Sequence, residues 1–262
     1  MTEDDVRGLV EGYEAWNRRE PDALGELLDP EMEWEPGFGA LEQGVHRGAE
    51  GFRGFVASWI ESFDDFRIEP ELLVQVGEQV VVIAHQRGRG HGSGIELEQQ
   101  VVHVWTVRDG KAVRWWGPRT RDEALDALGD PRPKVVLQGY ETFNCGELDE
   151  AIEMFDREVV WHTWIVPGPG GATYRGHEGV RELWSDARNI FGDFRNEPER
   201  IIAAGTDKVV AFVAVRGRGL VSGAEVEGRI AHIYTFRGDK VLQVDSYEDR
   251  EEALRVVGIR AD

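Results

Sequence analysis

The sequence predicts an α+β protein built from two similar domains in tandem, each with helices on one face of a largely antiparallel sheet. Three observations predict this class: a repeat of domain length, helical patterns at the start of each half, and four β patterns at its end. The repeat pairs segments such as 87–90 with 216–219 (both RGRG) and 121–125 with 250–254 (RDEAL with REEAL). Its spacing of 127 to 129 residues is the size of a whole domain and is too long for a solenoid repeat.

The first half opens with an amphipathic helix. Val6, Leu9, Val10, Tyr13 and Trp16 recur every three or four residues, which marks one buried helical face. The elements predicted after it are a short helix at 23–28, a strand at 32–35, a helix at 48–63, and strands at 67–76, 79–89, 96–108 and 111–116. Turn signals separate these strands, and the Asp-Gly pair at 109–110 is a strong hairpin signal because type I′ turns need positive φ.

The second half repeats this order. Its predicted elements are a helix around 137–143, a short helix at 148–155, a strand at 159–164, a helix at 176–191, and strands at 196–203, 208–218, 225–237 and 240–247. The linker at 129–133 holds two prolines and is therefore predicted to be short and stiff. We expect domains at 1–130 and 131–262 that form an internal pseudo-dimer, and a chain that needs no further copy of itself.

The composition argues against several classes of function. A net charge of −20 opposes binding to nucleic acid or to an anionic membrane. No apolar run approaches the roughly 20 residues that span a bilayer, and the acidic N-terminus does not resemble a signal peptide, so a cytoplasmic location is expected. Cys145 is the single cysteine, and no histidine cluster has metal-ligand spacing, so neither a disulfide nor a metal or other cofactor is predicted.

Several segments carry a resemblance to a known family. They are DPEMEW at 29–34, the helix starts Arg47-Gly48 and Arg175-Gly176, and the closing strands HVWTVRDGKAVRWW at 103–116 and HIYTFRGDKVLQVD at 232–245. Both halves resemble the SnoaL-like polyketide-cyclase branch of the NTF2-like superfamily. The resemblance implies a cone-shaped α+β fold with an internal cavity for a small hydrophobic molecule. It leaves the function open, because this superfamily includes isomerases, cyclases, epoxide hydrolases, dehydratases and binding proteins without enzymatic activity.

The first candidate site residues are Tyr13 and Tyr140, on the inner face of the first helix of each half. The resemblance to the ketosteroid-isomerase branch implies that a tyrosine at this position donates a hydrogen bond to the substrate oxygen. The alternative is a core aromatic residue whose hydroxyl group bonds a backbone atom.

The second pair is Glu35 and His162, at the end of the first strand of each half. The isomerase branch has its general-base aspartate just before a proline here, and Pro36 follows Glu35. A carboxylate that enters an apolar cavity has a raised pKa, and imidazole is the other natural base near neutral pH. The alternative is a solvated residue at a strand end.

The third pair is His103 and His232, in the next-to-last strand of each half. The resemblance implies a second hydrogen-bond donor here, and a histidine can donate to a developing oxyanion. The alternative is a core histidine that bonds a neighbouring strand. The presence of a histidine at this position in both halves favours a shared role, but it does not distinguish contact with a ligand from core packing.

Aromatic residues and one more histidine are predicted to line the cavities, with core packing as the alternative for most of them. The candidates are Trp34, Trp105 and Trp115 in the first half and Trp161, Trp164 and Tyr234 in the second half. His85 is a candidate that is specific to the first half, because Ala214 replaces it in the second.

Two functions remain open at the level of sequence. The first is acid–base chemistry of the isomerase, cyclase or lyase type on a small hydrophobic molecule, with the triads Tyr13/Glu35/His103 and Tyr140/His162/His232. The second is a binding or scaffold module without catalysis. The inward aspartate on which cyclases of this family rely has no clear counterpart at a predicted inward position, which counts against a cyclase of the known kind.

Overall fold

The computed structural model describes residues 1–37, 44–163 and 171–259. The chain divides into two compact units, Met1–Gly129 and Asp130–Ala261, called unit 1 and unit 2 below. Within the described residues, each unit has six strands and several helices, so the predicted α+β class of two tandem domains is confirmed. In unit 2, Ala253 and Leu254 of the last helix pack with Val210 and Ile233, on the sheet face opposite His232, so the helices are not confined to one face as predicted.

Unit 1 begins with two helical segments and ends with a short helix. Its elements are α1 (Glu3–Asn17), a 3₁₀ helix (Pro21–Glu26), β1 (Leu28–Glu35), β2 (His46–Arg47), α2 (Ala49–Glu61), β3 (Arg67–Val76), β4 (Gln79–Arg89), β5 (Glu96–Arg108), β6 (Lys111–Trp116) and α3 (Arg121–Ala127). The strands follow the order β2-β1-β6-β5-β4-β3, and every neighbouring pair is antiparallel except β1 with β6.

Unit 2 repeats this arrangement. Its elements are α4 (Arg132–Cys145), α5 (Leu148–Ile152), β7 (Phe155–Thr163), β8 (Ala172–Arg175), α6 (Gly176–Ile190), β9 (Phe191–Ala204), β10 (Lys208–Gly219), β11 (Glu225–Arg237), β12 (Lys240–Tyr247) and α7 (Arg250–Val256). The strand order is β9-β10-β11-β12-β7-β8, again with a single parallel pair, β12 with β7.

The observed elements differ from the predicted ones at short segments and at several strand starts, since β1, β7 and β9 begin at Leu28, Phe155 and Phe191, before the predicted starts at 32, 159 and 196. β2 and β8 have two and four residues, too few to show a period of two, and neither was predicted. α3 and α7 begin after Thr120 and Asp249, whose side chains accept hydrogen bonds from the first-turn N–H groups. The repeated RDEAL and REEAL segments are therefore capped helices that follow the last strand.

Helix α1 shows how the sequence pattern positions the site. Its face of Val6, Leu9, Tyr13 and Trp16 is buried, as the spacing predicts. Thr2 caps the helix through its side chain, and Asp5 bonds back to the Thr2 N–H, which satisfies two otherwise unpaired N–H groups. The helix therefore presents two aromatic side chains, three residues apart, to the inner face of the sheet.

An asparagine at the end of the first helix of each unit attaches that helix to the sheet. In unit 1 the Asn17 amide donates to the Ile68 carbonyl and accepts from the Ile68 N–H, both at 2.8 Å. In unit 2 Asn144 makes the same two bonds to the Asn196 backbone, at 2.8 and 3.0 Å. The repeat therefore conserves a two-bond attachment beside the cavity.

Replacement Asn17→Ala is expected to destabilise unit 1 by about 2 kcal/mol, because it leaves two backbone groups of Ile68 without partners. Chemical unfolding followed by circular dichroism measures the loss. Asn189→Ala is the matched control, because that exposed side chain makes only a 3.4 Å contact with Ser185. Equal stability of the two variants would contradict the structural role of Asn17.

None of the helices in the described ranges is both long enough and apolar enough to cross a membrane.

Candidate functional site

A buried hydrogen-bonded relay joins α1 to β5 in unit 1. The Tyr13 hydroxyl lies 2.8 Å from His103 Nδ1 and accepts a hydrogen bond of 2.9 Å from Trp105 Nε1. His103 and Trp105 are two residues apart on β5, so both point to the same face of the sheet, toward α1. The sequence-predicted pair Tyr13 and His103 is thus brought into direct contact.

The donors of the relay follow from its chemistry. An indole N–H can only donate, so Tyr13 accepts from Trp105. The other partner of the hydroxyl group is His103 Nδ1, and the arrangement that uses the hydroxyl proton has Tyr13 donating to this nitrogen. Burial lowers the pKa of His103 to about 4, so its ring is neutral at neutral pH. A neutral imidazole that accepts at Nδ1 carries its proton on Nε2, which makes His103 a hydrogen-bond donor. Burial also raises the pKa of Tyr13 well above its ordinary value.

Unit 2 has the same relay with one substitution. The Tyr140 hydroxyl lies 2.7 Å from His232 Nδ1, and Tyr234 takes the place of Trp105 and hydrogen-bonds Tyr140. Burial lowers the pKa of His232 to about 4 as well. Both units therefore keep a neutral histidine whose Nδ1 is bonded to a tyrosine of the first helix.

A cavity of 530 Å³ in unit 1 has His103 in its wall. Aromatic and apolar side chains form much of its lining, and Arg119 and Arg121 belong to it as well. The full lining is Trp16, Gly37, Phe55, Trp59, Ile68, Gln86, Gln99, Gln100, Val101, Val102, His103, Trp115, Gly117, Pro118, Arg119, Thr120 and Arg121. No Asp or Glu belongs to this described lining.

The cavity beside the relay of unit 2 is much smaller, 50 Å³. His232 and Tyr140 belong to its wall, together with large side chains such as Phe143, Trp161 and Trp184. Trp184 is almost fully buried in a cluster between α6 and the sheet. The two units thus share a relay, and the described cavities that contact its histidine have volumes of 530 and 50 Å³. A second unit 1 cavity, of 150 Å³, contacts Tyr13 and Trp105.

The structure does not bring Glu35 or His162 into either cavity, so both proposed triads are wrong as three-residue sites. Trp34 pairs with Trp115 across β1 and β6 and is buried, which turns Glu35 to the opposite face of the strand. His162 likewise alternates with Trp161 and Thr163, which line the unit 2 cavity, and its Nδ1 lies 3.0 Å from the Thr173 hydroxyl.

His85 is also on the outer face of its sheet, contrary to the prediction. On β4 the inward positions are Val82, Ala84 and Gln86, so His85 points away from the cavity. Its Nε2 lies 3.3 Å from a carboxylate oxygen of Glu98. The polar residue of this strand that lines the cavity is its neighbour Gln86.

The residues predicted to form aromatic walls occupy different places in the structure. Trp115 lines the 530 Å³ cavity, and Trp161 and Tyr234 line the unit 2 cavity. Trp105 belongs to the relay, and Trp34 is a core residue stacked on His46 with ring centroids 4.3 Å apart. Trp164 lies outside the described residues.

The interpretation of the sequence missed Trp16 and Gln86 as cavity residues. Both line the 530 Å³ cavity, and each has a buried side-chain nitrogen without a hydrogen-bond partner among the described residues. Trp16 was assigned only to the buried face of α1. The sequence offers one signal for them: the corresponding positions of the second half hold different residues, Phe143 and Val215.

Within the described ranges, no group of three or more His, Cys, Asp or Glu side chains is placed to hold a metal ion.

Each unit is an α+β domain whose helices and sheet line a pocket. The model of the SnoaL-like domain matches residues 9–115 and again residues 136–244. The chain therefore belongs to the SnoaL-like domain family, with two copies of the domain.

Solved structures of this fold align with about half of the chain. An NTF2-like protein of unknown function from Burkholderia pseudomallei is 22% identical with a TM-score of 0.41, covering 49% of this chain and 100% of its own. A putative SnoaL-like polyketide cyclase from Jannaschia is 19% identical with a TM-score of 0.40, covering 48% and 90%. A protein from Catenulispora acidiphila with a ketosteroid isomerase-like fold is 18% identical with a TM-score of 0.39, covering 50% and 96%. No curated protein matches the sequence significantly.

Proposed function

We propose that unit 1 binds a small, largely apolar molecule and polarises one of its oxygen atoms through the Nε2–H group of His103. The observation that carries this proposal is the 530 Å³ cavity, whose lining combines aromatic side chains with His103. Apolar walls with a few polar groups are typical of sites for small organic molecules.

His103 suits a carbonyl oxygen or an oxyanion. Its ring is neutral because burial lowers its pKa to about 4, and Tyr13 holds it in the tautomer with a proton on Nε2. A fixed neutral donor in a cavity wall stabilises negative charge that develops on an oxygen atom. Such a donor supports an isomerisation or ring closure in which negative charge develops on a carbonyl oxygen, and the base that takes the substrate proton lies outside the described lining.

A binding protein without turnover is the second candidate, and one observation favours it. The described lining of the cavity includes no carboxylate, and His103 Nδ1 accepts from Tyr13. The protein therefore supplies a hydrogen-bond donor and lacks an evident proton acceptor among these residues. A molecule that binds and is not converted would support this second candidate.

The test is a thermal-shift screen of aromatic polyketides, steroids and small enones, followed by turnover assays of the compounds that bind. In His103→Phe, the ligand-dependent rise in Tm is expected to fall, and turnover to drop by about a hundredfold, as for the loss of one oxyanion donor. Glu35→Gln is the matched control, because Glu35 is on the opposite strand face, and it is expected to bind like the wild type. A His103→Phe protein that binds and converts the same compounds unchanged would overturn the proposal.

A further inference from the structure

The second cavity of unit 1 lies beside helix α1. It has a volume of 150 Å³, and residues of α1, the 3₁₀ helix, β5 and β6 contribute to its wall. Trp16 is the one residue that its described lining shares with that of the 530 Å³ cavity, so Trp16 lies between the two spaces. Tyr13 and Trp105 belong to the wall of this second space, whereas His103 does not. We call it the α1 cavity.

The wall of the α1 cavity is mainly apolar. Apolar cavities of about 150 Å³ stay free of water, which finds no hydrogen-bond partners there, and they take up molecules of the size of benzene. The volume and the lining of the α1 cavity therefore fit a small hydrocarbon. The aliphatic and phenyl side chains of the wall are those of Leu9, Leu24, Leu27, Leu28, Phe52 and Val107.

The charged residues of this described lining are both acidic. They are Asp4 and Asp5, in the first turn of α1. Asp4 lies 2.9 Å from Arg7, and Asp5 accepts a hydrogen bond of 2.7 Å from the Thr2 N–H group. Each carboxylate thus has a partner within the helix and does not require a cation. Their negative charge opposes a ligand with a carboxylate, so an uncharged molecule fits best.

Two glycines one helical turn apart keep the α1 cavity open. A Cβ atom at Gly8 or at Gly12 would lie 3.2 Å from a methyl group of Leu27. A side chain at either position would therefore fill space between α1 and the 3₁₀ helix. Glycine inside a helix lowers stability, and an empty apolar cavity lowers it in proportion to its volume. Unit 1 thus keeps this space although filling it would stabilise the fold.

Unit 2 shows that the same fold accepts larger side chains at these positions. Val135 corresponds to Gly8, and Met154 corresponds to Leu27. A Cβ atom on Gly139 would lie 2.4 Å from Met154 Sδ, so the thioether occupies the space beside that glycine. The cavity that Gly139 and Met154 line has a volume of 50 Å³. The larger space in unit 1 is therefore a property of its own residues and is not imposed by the fold.

We propose that the α1 cavity is a second binding site of unit 1, for a small uncharged apolar molecule of about the size of a benzene ring. This site is independent of the proposed function, because His103 and the 530 Å³ cavity take no part in it. A bound molecule contacts the rings of Tyr13 and Trp105, the two relay residues in the wall.

The experiment is nuclear magnetic resonance of the full chain with labelled methyl groups, titrated with toluene, benzylamine or benzoate. Toluene is expected to shift the methyl resonances of Leu24, Leu27 and Val107, which line the α1 cavity. Benzylammonium and benzoate, which have the same ring and carry a charge at neutral pH, are expected to bind there at least tenfold more weakly, because an apolar wall does not replace the water around a charge.

Two variants fill the cavity with residues that unit 2 has at the same positions. Gly8→Val copies Val135 and fills it from the helix, and Ala112→Val copies Val241 and fills it from the sheet. Each is expected to weaken toluene binding at least tenfold. Gly54→Val is the matched control, because a Cβ atom at this exposed position of α2 would have no other atom within 4 Å. Circular dichroism of every variant verifies folding.

Toluene shifts confined to Ile68 and Val101 would place the molecule in the 530 Å³ cavity and overturn the inference. Unchanged toluene binding in both filled variants would overturn it as well. Tighter binding of benzylammonium than of toluene would overturn the class of ligand. The proposed function is tested separately by His103→Phe, because His103 does not belong to the lining of the α1 cavity.

Discussion

Lowering the pH from 6.5 toward 4 is expected to destabilise each unit by roughly 3 kcal/mol through its buried histidine. His103 and His232 have pKa values near 4 in the folded protein, whereas the unfolded chain titrates near 6.5. Between these values the unfolded chain binds more protons than the folded one, so stability falls as the pH falls. Above 6.5 both states are neutral, and this contribution is fully present.

Urea unfolding midpoints across this pH range measure the effect. The variants His103→Gln and His232→Gln are expected to flatten the profile, because an amide keeps an acceptor for the tyrosine and does not titrate. Arginine neighbours lower the pKa values of carboxylates such as Asp130 and Asp156, so protonation of these groups in acid also destabilises the protein. This contribution is the same in all the variants. His91→Gln, at an exposed histidine paired with Asp64, is the control. If the wild type and a variant that carries both His103→Gln and His232→Gln lost the same stability in acid, the two histidines would not be the cause of that loss.

Replacement Tyr13→Phe is expected to destabilise unit 1 by about 3 kcal/mol although it removes a single oxygen atom. Without the hydroxyl group, His103 Nδ1 and Trp105 Nε1 both lose their partners inside the protein, and each orphan contributes about 1 to 3 kcal/mol. Tyr140→Phe should act similarly in unit 2 through His232 and Tyr234.

Chemical unfolding compares these variants with Tyr174→Phe, at a buried tyrosine whose hydroxyl makes one bond of 2.8 Å to Asp186. That control is expected to lose about 1 kcal/mol. Tyr13→Phe should also weaken ligand binding in unit 1, since His103 is then no longer held with its proton on Nε2. A Tyr13→Phe protein as stable as Tyr174→Phe would mean that the relay contributes little to stability.

Most of the strands could be predicted because their signals are local. The bounds of β3 to β6 agree with the prediction, since Gly77 and the Asp109-Gly110 turn interrupt clear runs of apolar residues. The prediction missed the start of β1. Between Leu28 and Glu33 the pairing of β1 with β6 is irregular, and buried and exposed residues do not alternate regularly there. The prediction missed β2 and β8 because two and four residues are too few to show the two-residue period of a strand.

The candidate site could be predicted in part. Tyr13 and His103 are implied by the resemblance to the ketosteroid-isomerase branch, and the structure joins them by a hydrogen bond. Glu35 was assigned to the wrong face, because the face of a strand-end residue depends on register, and a shift of one residue reverses it. The role of Trp105 as donor to Tyr13 has no local signal, because the two residues are 92 positions apart.

The sequence by itself determined the duplication, the α+β order of each copy, the buried face of α1 and the spans of β3 to β6. These features depend on neighbours within a few residues, whose spacing sets the helical or extended period. Only the tertiary structure decided which face Glu35 and His85 take, how Tyr13 and His103 meet, and why one cavity holds 530 Å³ and the other 50 Å³. The physical reason is that strand register and cavity volume depend on side chains from distant segments. A single difference between the two repeats, such as Trp115 in the first and Val244 in the second, does not change the local periodicity from which helices and strands are predicted.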